Sequence, residues 1–141
     1  ESEFLPENGL RISLGCFAAG QLQLGLAGLS AWLIGPDGVE EIEGEPWGVG
    51  AARAEDTQTF RTVSLTMSSE QKLILTSTGA YTAAGGQRSE PLGKAGFQQL
   101  LAPLLDKRLS GLPSAFEDAY KEWVGINSVF EDVQVLFYRP S

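Results

Sequence analysis

The chain has 141 residues, enough for one domain with a real core, and its 43% apolar and 20% charged content is that of an ordinary globular protein, not a disordered one. A net charge of −8 disfavours nucleic acid and anionic membrane surfaces as partners. There is no histidine and a single cysteine, which excludes Ser-His-Asp and Cys-His catalysis, His-bound zinc or haem, and an internal disulfide within these residues.

Leu10–Phe17 is apolar with β-branched and aromatic members and reads as a strand. Cys16 lies in this run and is expected as a small buried hydrophobe, not a nucleophile. Gln21–Leu26 alternates polar and apolar residues strictly, the pattern of a half-buried strand. Ser30–Ile34 forms a third apolar strand, and Pro36-Asp37-Gly38 turns the chain into a fourth, Val39–Glu43. Leu10–Glu43 therefore reads as an antiparallel meander. The acids Glu40, Glu41, Glu43 and Glu45 read as a charged hairpin edge that resists aggregation.

A loop with Pro46, Trp47, Gly48 and Gly50 follows, then strands at Phe60–Met67 and Lys72–Ser77. Gly79–Arg88, rich in glycine and alanine, reads as a loop; no lysine-serine or lysine-threonine follows Gly85-Gly86, so it is not a phosphate-binding loop. Leucines and Phe97 at helical spacing predict a helix over Lys94–Leu105, broken near Pro103. Ser114 and Glu117 match a capping box opening a second helix, Ser114–Val124, with Phe116, Ala119, Tyr120 and Trp123 on one face and Gly125 as its stop. Val133–Arg139 is a last strand.

This order predicts an α+β fold, a mainly antiparallel sheet or sandwich with helices packed on the outer face, in one domain over residues 1–141. No apolar run is long enough for a membrane-spanning helix, and residues 1–9 hold acids without a basic group, unlike a signal peptide. A cytoplasmic location is the expectation.

Several segments, in this order, resemble the SpoIIE-like branch of the PP2C-type protein serine/threonine phosphatases. Leu26–Ile34 with the Pro36-Asp37-Gly38 turn is similar to that family's "AGH" strand and hairpin, and Glu45–Val49 to its "PLG" turn. Lys72–Gly79 resembles its "LLLYTDG" strand and turn, Ser89–Gly93 its "GEPFG", and Phe130–Leu136 its terminal "DDVTLL" strand. The resemblance implies a fold like that of these phosphatases and a chemistry in which divalent cations, manganese or magnesium, held by aspartates activate a water for attack on phosphate.

The aspartates test that chemistry. Thr78 stands where the family has the aspartate of "TDG", and Leu29 where it has the histidine of "AGH". Glu131 stands at the first aspartate of the terminal pair, and Asp132 follows it. The family's earlier "GD" and "DxxGHG" motifs have no counterpart and would lie before Glu1. Glu131 and Asp132 are the candidate metal ligands that remain, set against the simpler reading of a solvated turn, since adjacent strand residues point to opposite faces. Trp32 and Trp123 are expected to pack internally. Trp47, in its Gly/Pro loop, is the candidate interaction residue.

The expected function is a catalytically degenerate PP2C/SpoIIE-like domain that needs no cofactor and binds a protein partner in bacterial-type signalling. The alternative is the later part of an active manganese- or magnesium-dependent phosphatase whose remaining ligands lie upstream.

Overall fold

A computed structural model describes residues 9–49, 60–127 and 132–139. It is α+β with mostly antiparallel strands, as the patterning predicts. The strands are β1 (Ile12–Ala18), β2 (Gln21–Ala27), β3 (Ala31–Gly35), β4 (Gly38–Ile42), β5 (Thr62–Thr66), β6 (Lys72–Thr76), β7 (Ala84–Gly85), β8 (Glu90–Pro91) and β9 (Val135–Tyr138). The helices are α1 (Gly79–Thr82), α2 (Gly93–Leu101) and α3 (Leu112–Val124). The chain divides into two compact units, one drawn from Glu1–Ala31 and Glu41–Ser68, the other from Trp32–Glu40 and Ser69–Ser141.

The first unit carries the sheet β1-β2-β5. Leu22, Leu24 and Leu26 of β2 are buried, and the register sets Phe17, Gly15 and Ser13 of β1 opposite them on the same face. Ile12, Leu14 and Cys16 therefore lie on the other face, beside Gln23 and Gly25, and all three are exposed. Cys16 is not the buried hydrophobe its apolar run suggested. Side-chain direction alternates along a strand, and the leucines of β2 decide which face of β1 is covered.

The expected meander from Leu10 to Glu43 is split between two sheets. The partners of β2 are β1 and β5, and β3 does not pair with it. The break falls at Gly28, whose φ is +68° and where a Cβ would lie 2.9 Å from the Arg11 side chain. Only glycine takes that conformation against that neighbour without strain.

The second unit is built on the sheet order β4-β3-β6-β9. Ile74 of β6 sits opposite Phe137 of β9, and these residues with Trp32 and Ile34 of β3 meet Phe97 and Leu101 of α2 and Leu112, Phe116 and Tyr120 of α3. Aromatic rings run through this core: Trp32 to Phe97 at 5.3 Å, Tyr81 to Phe97 at 5.2 Å edge-on, and Phe97 to Phe116 at 5.6 Å. Trp32 is thus the packing residue expected, and Trp123 packs half-buried against the same core. Of the four acids expected at a charged hairpin edge, Glu40 and Glu43 are exposed, while half-buried Glu41 accepts from Ser30 Oγ at 2.9 Å and half-buried Glu45 pairs with Arg61.

Two local expectations change. Gly79–Arg88 is not all loop, because it holds α1 and β7. Gly79 and Ala80 are buried small residues, so close packing, not an apolar stripe, fixes this helix. The capping box is not formed: α3 starts at Leu112, Ser114 lies within its first turn, and no side chain caps it. Leu112 is fully buried and Pro113 fits the first helical turn, so packing starts the helix before Ser114. Glu117 pairs instead with Lys121, one turn on. The break near Pro103 occurs as expected, with α2 tightening into a 3-10 turn at Ala102–Leu104, and Gly125 ends α3 with φ +60°.

Candidate functional site

The turn after β6 is where the resemblance places a metal aspartate. Ser77 holds it to the segment leading into β9 by three bonds. Its backbone N–H donates to the Gln134 carbonyl at 2.9 Å, its Oγ donates to the Asp132 carbonyl at 3.0 Å, and its Oγ accepts from the Gln134 N–H at 2.9 Å. These bonds bring Asp132 to the turn that carries Thr78. The Asp132 side chain is exposed. Glu131 lies outside the described residues.

Thr78 sits at the N-terminus of α1, and its carbonyl accepts the N–H groups of Tyr81 at 2.9 Å and Thr82 at 3.3 Å. The oxygen-bearing side chains on the two joined segments are the Asp132 carboxylate and the hydroxyls of Ser77 and Thr78. Manganese and magnesium are held chiefly by carboxylates. Among the described residues this stretch offers such an ion a single carboxylate, and no three His, Cys, Asp or Glu side chains come together to hold one.

Beneath the turn lies a network that the sequence did not reveal. The Tyr81 hydroxyl of α1 accepts from Trp32 Nε1 at 2.8 Å and from Thr76 Oγ1 at 2.7 Å. It ties α1 to β3 and β6 and satisfies two donors in the core. Aromatic residues in a glycine-rich stretch gave no periodic signal. On the neighbouring face of α3, burial raises the Tyr120 phenol above its usual range. Glu117 is held below its usual range by the hydrogen bond from Lys121 and by that residue's charge. Both members of that pair are exposed, and each occupies the other.

Trp47 belongs to the first unit and is half-buried. The turn around it is pinned on both sides. Glu45 N–H donates to the Leu26 carbonyl at 3.0 Å, and Leu10 and Val49 exchange two backbone bonds at 2.8 Å. Glu45 also accepts from Arg61 Nε at 3.1 Å. Leu29, at the family's histidine position, is half-buried. No helix among the described residues is long and apolar enough to cross a membrane.

No protein-family model and no curated protein matches the sequence. Solved structures do match the fold. The SiaA PP2C domain of Pseudomonas aeruginosa superposes with a TM-score of 0.71 at 22% identity, over 86% of this chain and 47% of that one. The phosphatase domain of the cell fate determinant SpoIIE from Bacillus subtilis gives 0.67 at 11% identity, over 92% and 56%. The RsbU and RsbW domains of a Mycobacterium tuberculosis protein give 0.61 at 19% identity, over 87% and 34%. The chain spans about half the length of the first two solved domains. These likenesses join the turn, strand and helix order already described: the chain has the PP2C-like fold of the SpoIIE-type phosphatase domains.

Proposed function

We propose that this chain is a catalytically degenerate PP2C-like domain that works as a regulatory, protein-binding module in bacterial signalling. The observation that carries the reading is Thr78. The fold brings Asp132 to the turn after β6, yet the residue at the family's aspartate position is a neutral hydroxyl, a far poorer ligand for a hard divalent cation. The bacterial phosphatase domains that share the fold support the signalling context.

The binding half of the reading is supported by the first unit. Edge strand β1 turns Ile12 and Leu14 to solvent, Leu14 at 69% exposure, and the bridged pair Leu10 and Val49 is exposed beside it. Unprotected apolar edges of this kind mark contact surfaces. Trp47, on the turn next to that bridge, belongs to the same surface in this reading. The net charge of −8 suits a partner with a basic face, through faster encounter more than tighter binding.

A second reading has one observation in its favour: the chain covers about half of the SiaA and SpoIIE domains, so other ligands would be supplied from outside these residues. The ligand lost at Thr78 lies inside them, which weighs for degeneracy. Manganese separates the two. A ligand that binds only the native state raises the unfolding midpoint. The 141-residue chain is expected to melt at the same temperature with and without millimolar manganese and to release no phosphate from an aryl phosphate. Metal-dependent turnover, or a manganese-induced rise that Asp132→Ala abolishes, overturns the reading.

A further inference from the structure

The only charged side chain among the buried described residues is Lys72, 6% exposed, at the start of β6. Alternation along the strand puts it on the same face as Ile74 and Thr76, the face covered by the helices. No hydrogen bond or ion pair holds its ammonium among the described residues, although a buried charge is normally paired. Lys72 lines a cavity of about 460 Å³.

That cavity also receives Lys107, Arg108 and Arg139, against two carboxylates, Glu70 and Asp106. Four cations and two acids leave a local charge of +2 in a chain whose total is −8. The register makes the grouping more pointed. Leu73 pairs with Tyr138, so one step further sets Lys72 opposite Arg139 on the neighbouring strand. Like charges directly opposite across two strands destabilise a sheet. None of the four cations forms an ion pair among the described residues, so Glu70 and Asp106 line the cavity without neutralising it.

We infer that this cavity is a binding site for a compact oxyanion of charge −2, a phosphate group or a small dicarboxylate, with Lys72 as the buried anchor and Arg139 as the planar fork that grips it. A dianion matches the +2 surplus, gives the buried ammonium its missing acceptor and relieves the repulsion across β6 and β9. Charge-assisted bonds to an ammonium and a guanidinium are the strong ones for such a ligand. The site lies at the opposite end of β6 from the Ser77–Gly79 turn, so it does not depend on the presence or absence of metal chemistry there.

Calorimetric titration of the 141-residue chain tests this with inorganic phosphate, malonate and chloride at matched ionic strength. Saturable binding of phosphate or malonate, with chloride silent, is expected, and the tighter of the two names the ligand's chemistry. Lys72→Met keeps the length of the stem and removes the charge. It is expected to fold, because it removes an unpaired buried cation, and to weaken dianion binding about tenfold or more, the loss of one charge-assisted bond. Arg139→Gln, at an exposed position, is expected to weaken it likewise. No saturable binding, equal response to chloride, or unchanged affinity in both variants overturns the proposal.

Discussion

Tyr81 shows how much one hydroxyl can organise. It accepts from Trp32 Nε1 and Thr76 Oγ1, and both donors sit on residues that are almost wholly buried. Removing the acceptor leaves donors in the core that water cannot reach, which costs about 1–3 kcal/mol for each. Tyr81→Phe keeps the ring and its edge-on contact with Phe97. The expected loss is therefore about 2 kcal/mol or more, read as a lower midpoint in urea with an unchanged slope. A loss well under that shows that the two donors find other acceptors. Cys16 teaches the complementary lesson: a residue in an apolar run was expected inside and lies outside, because the covered face of β1 is set by Leu22, Leu24 and Leu26 of its neighbour.

At the scale of elements, α3 and the β7 ribbon meet through Gly85. A Cβ there would collide with the Trp123 carbonyl oxygen and lie 2.5 Å from Cε3 of its indole ring. The Trp123 carbonyl is already fixed by the Gly86 N–H at 2.9 Å, so the backbone cannot yield. Gly85→Ala is expected to cost about 1–3 kcal/mol through overpacking. Gly25→Ala is the control: β2 has open space at that position, and alanine there is expected to be neutral or slightly stabilising. Equal losses at the two sites would remove the packing argument. The same region marks where the sequence stopped being legible. Long elements with a clear period, such as β2, α2 and α3, could be read from it, because a large apolar residue every second or third to fourth position reports one buried face. The helix at Gly79–Thr82 could not, because its buried residues are Gly79 and Ala80, which carry no such signal. The start of α3 was misplaced for a related reason: burial of Leu112 outweighed the local capping signal of Ser114. At the candidate site the resemblance pointed to Thr78 and Asp132, while Ser77, whose bonds hold the two segments together, was read only as the end of a strand. Lys72 read only as the polar start of a strand, since nothing local says that Leu105–Arg108 will close over its end.

Across the whole molecule, charge acts mainly as repulsion. The chain has 18 acids against 10 basic residues. The ion pairs of Glu45 with Arg61 and of Glu117 with Lys121, among the described residues, each have a well-exposed cation, so solvent screens them and each contributes little. A like-charged surface destabilises the compact state by self-repulsion, and salt screens that repulsion. Raising sodium chloride from about 10 mM to about 150 mM, where the Debye length falls from about 30 Å to about 8 Å, is therefore expected to raise the melting midpoint. Lys72→Met makes the net charge one unit more negative, so it should show the same rise or a larger one, while losing the response to phosphate or malonate. The two effects are separable because screening is continuous in ionic strength and site binding saturates. A midpoint that falls with salt would mean that favourable pairs outweigh repulsion in this chain. The acidic surface would then be an arranged network, and the case for a partner with a basic face would lose its electrostatic support.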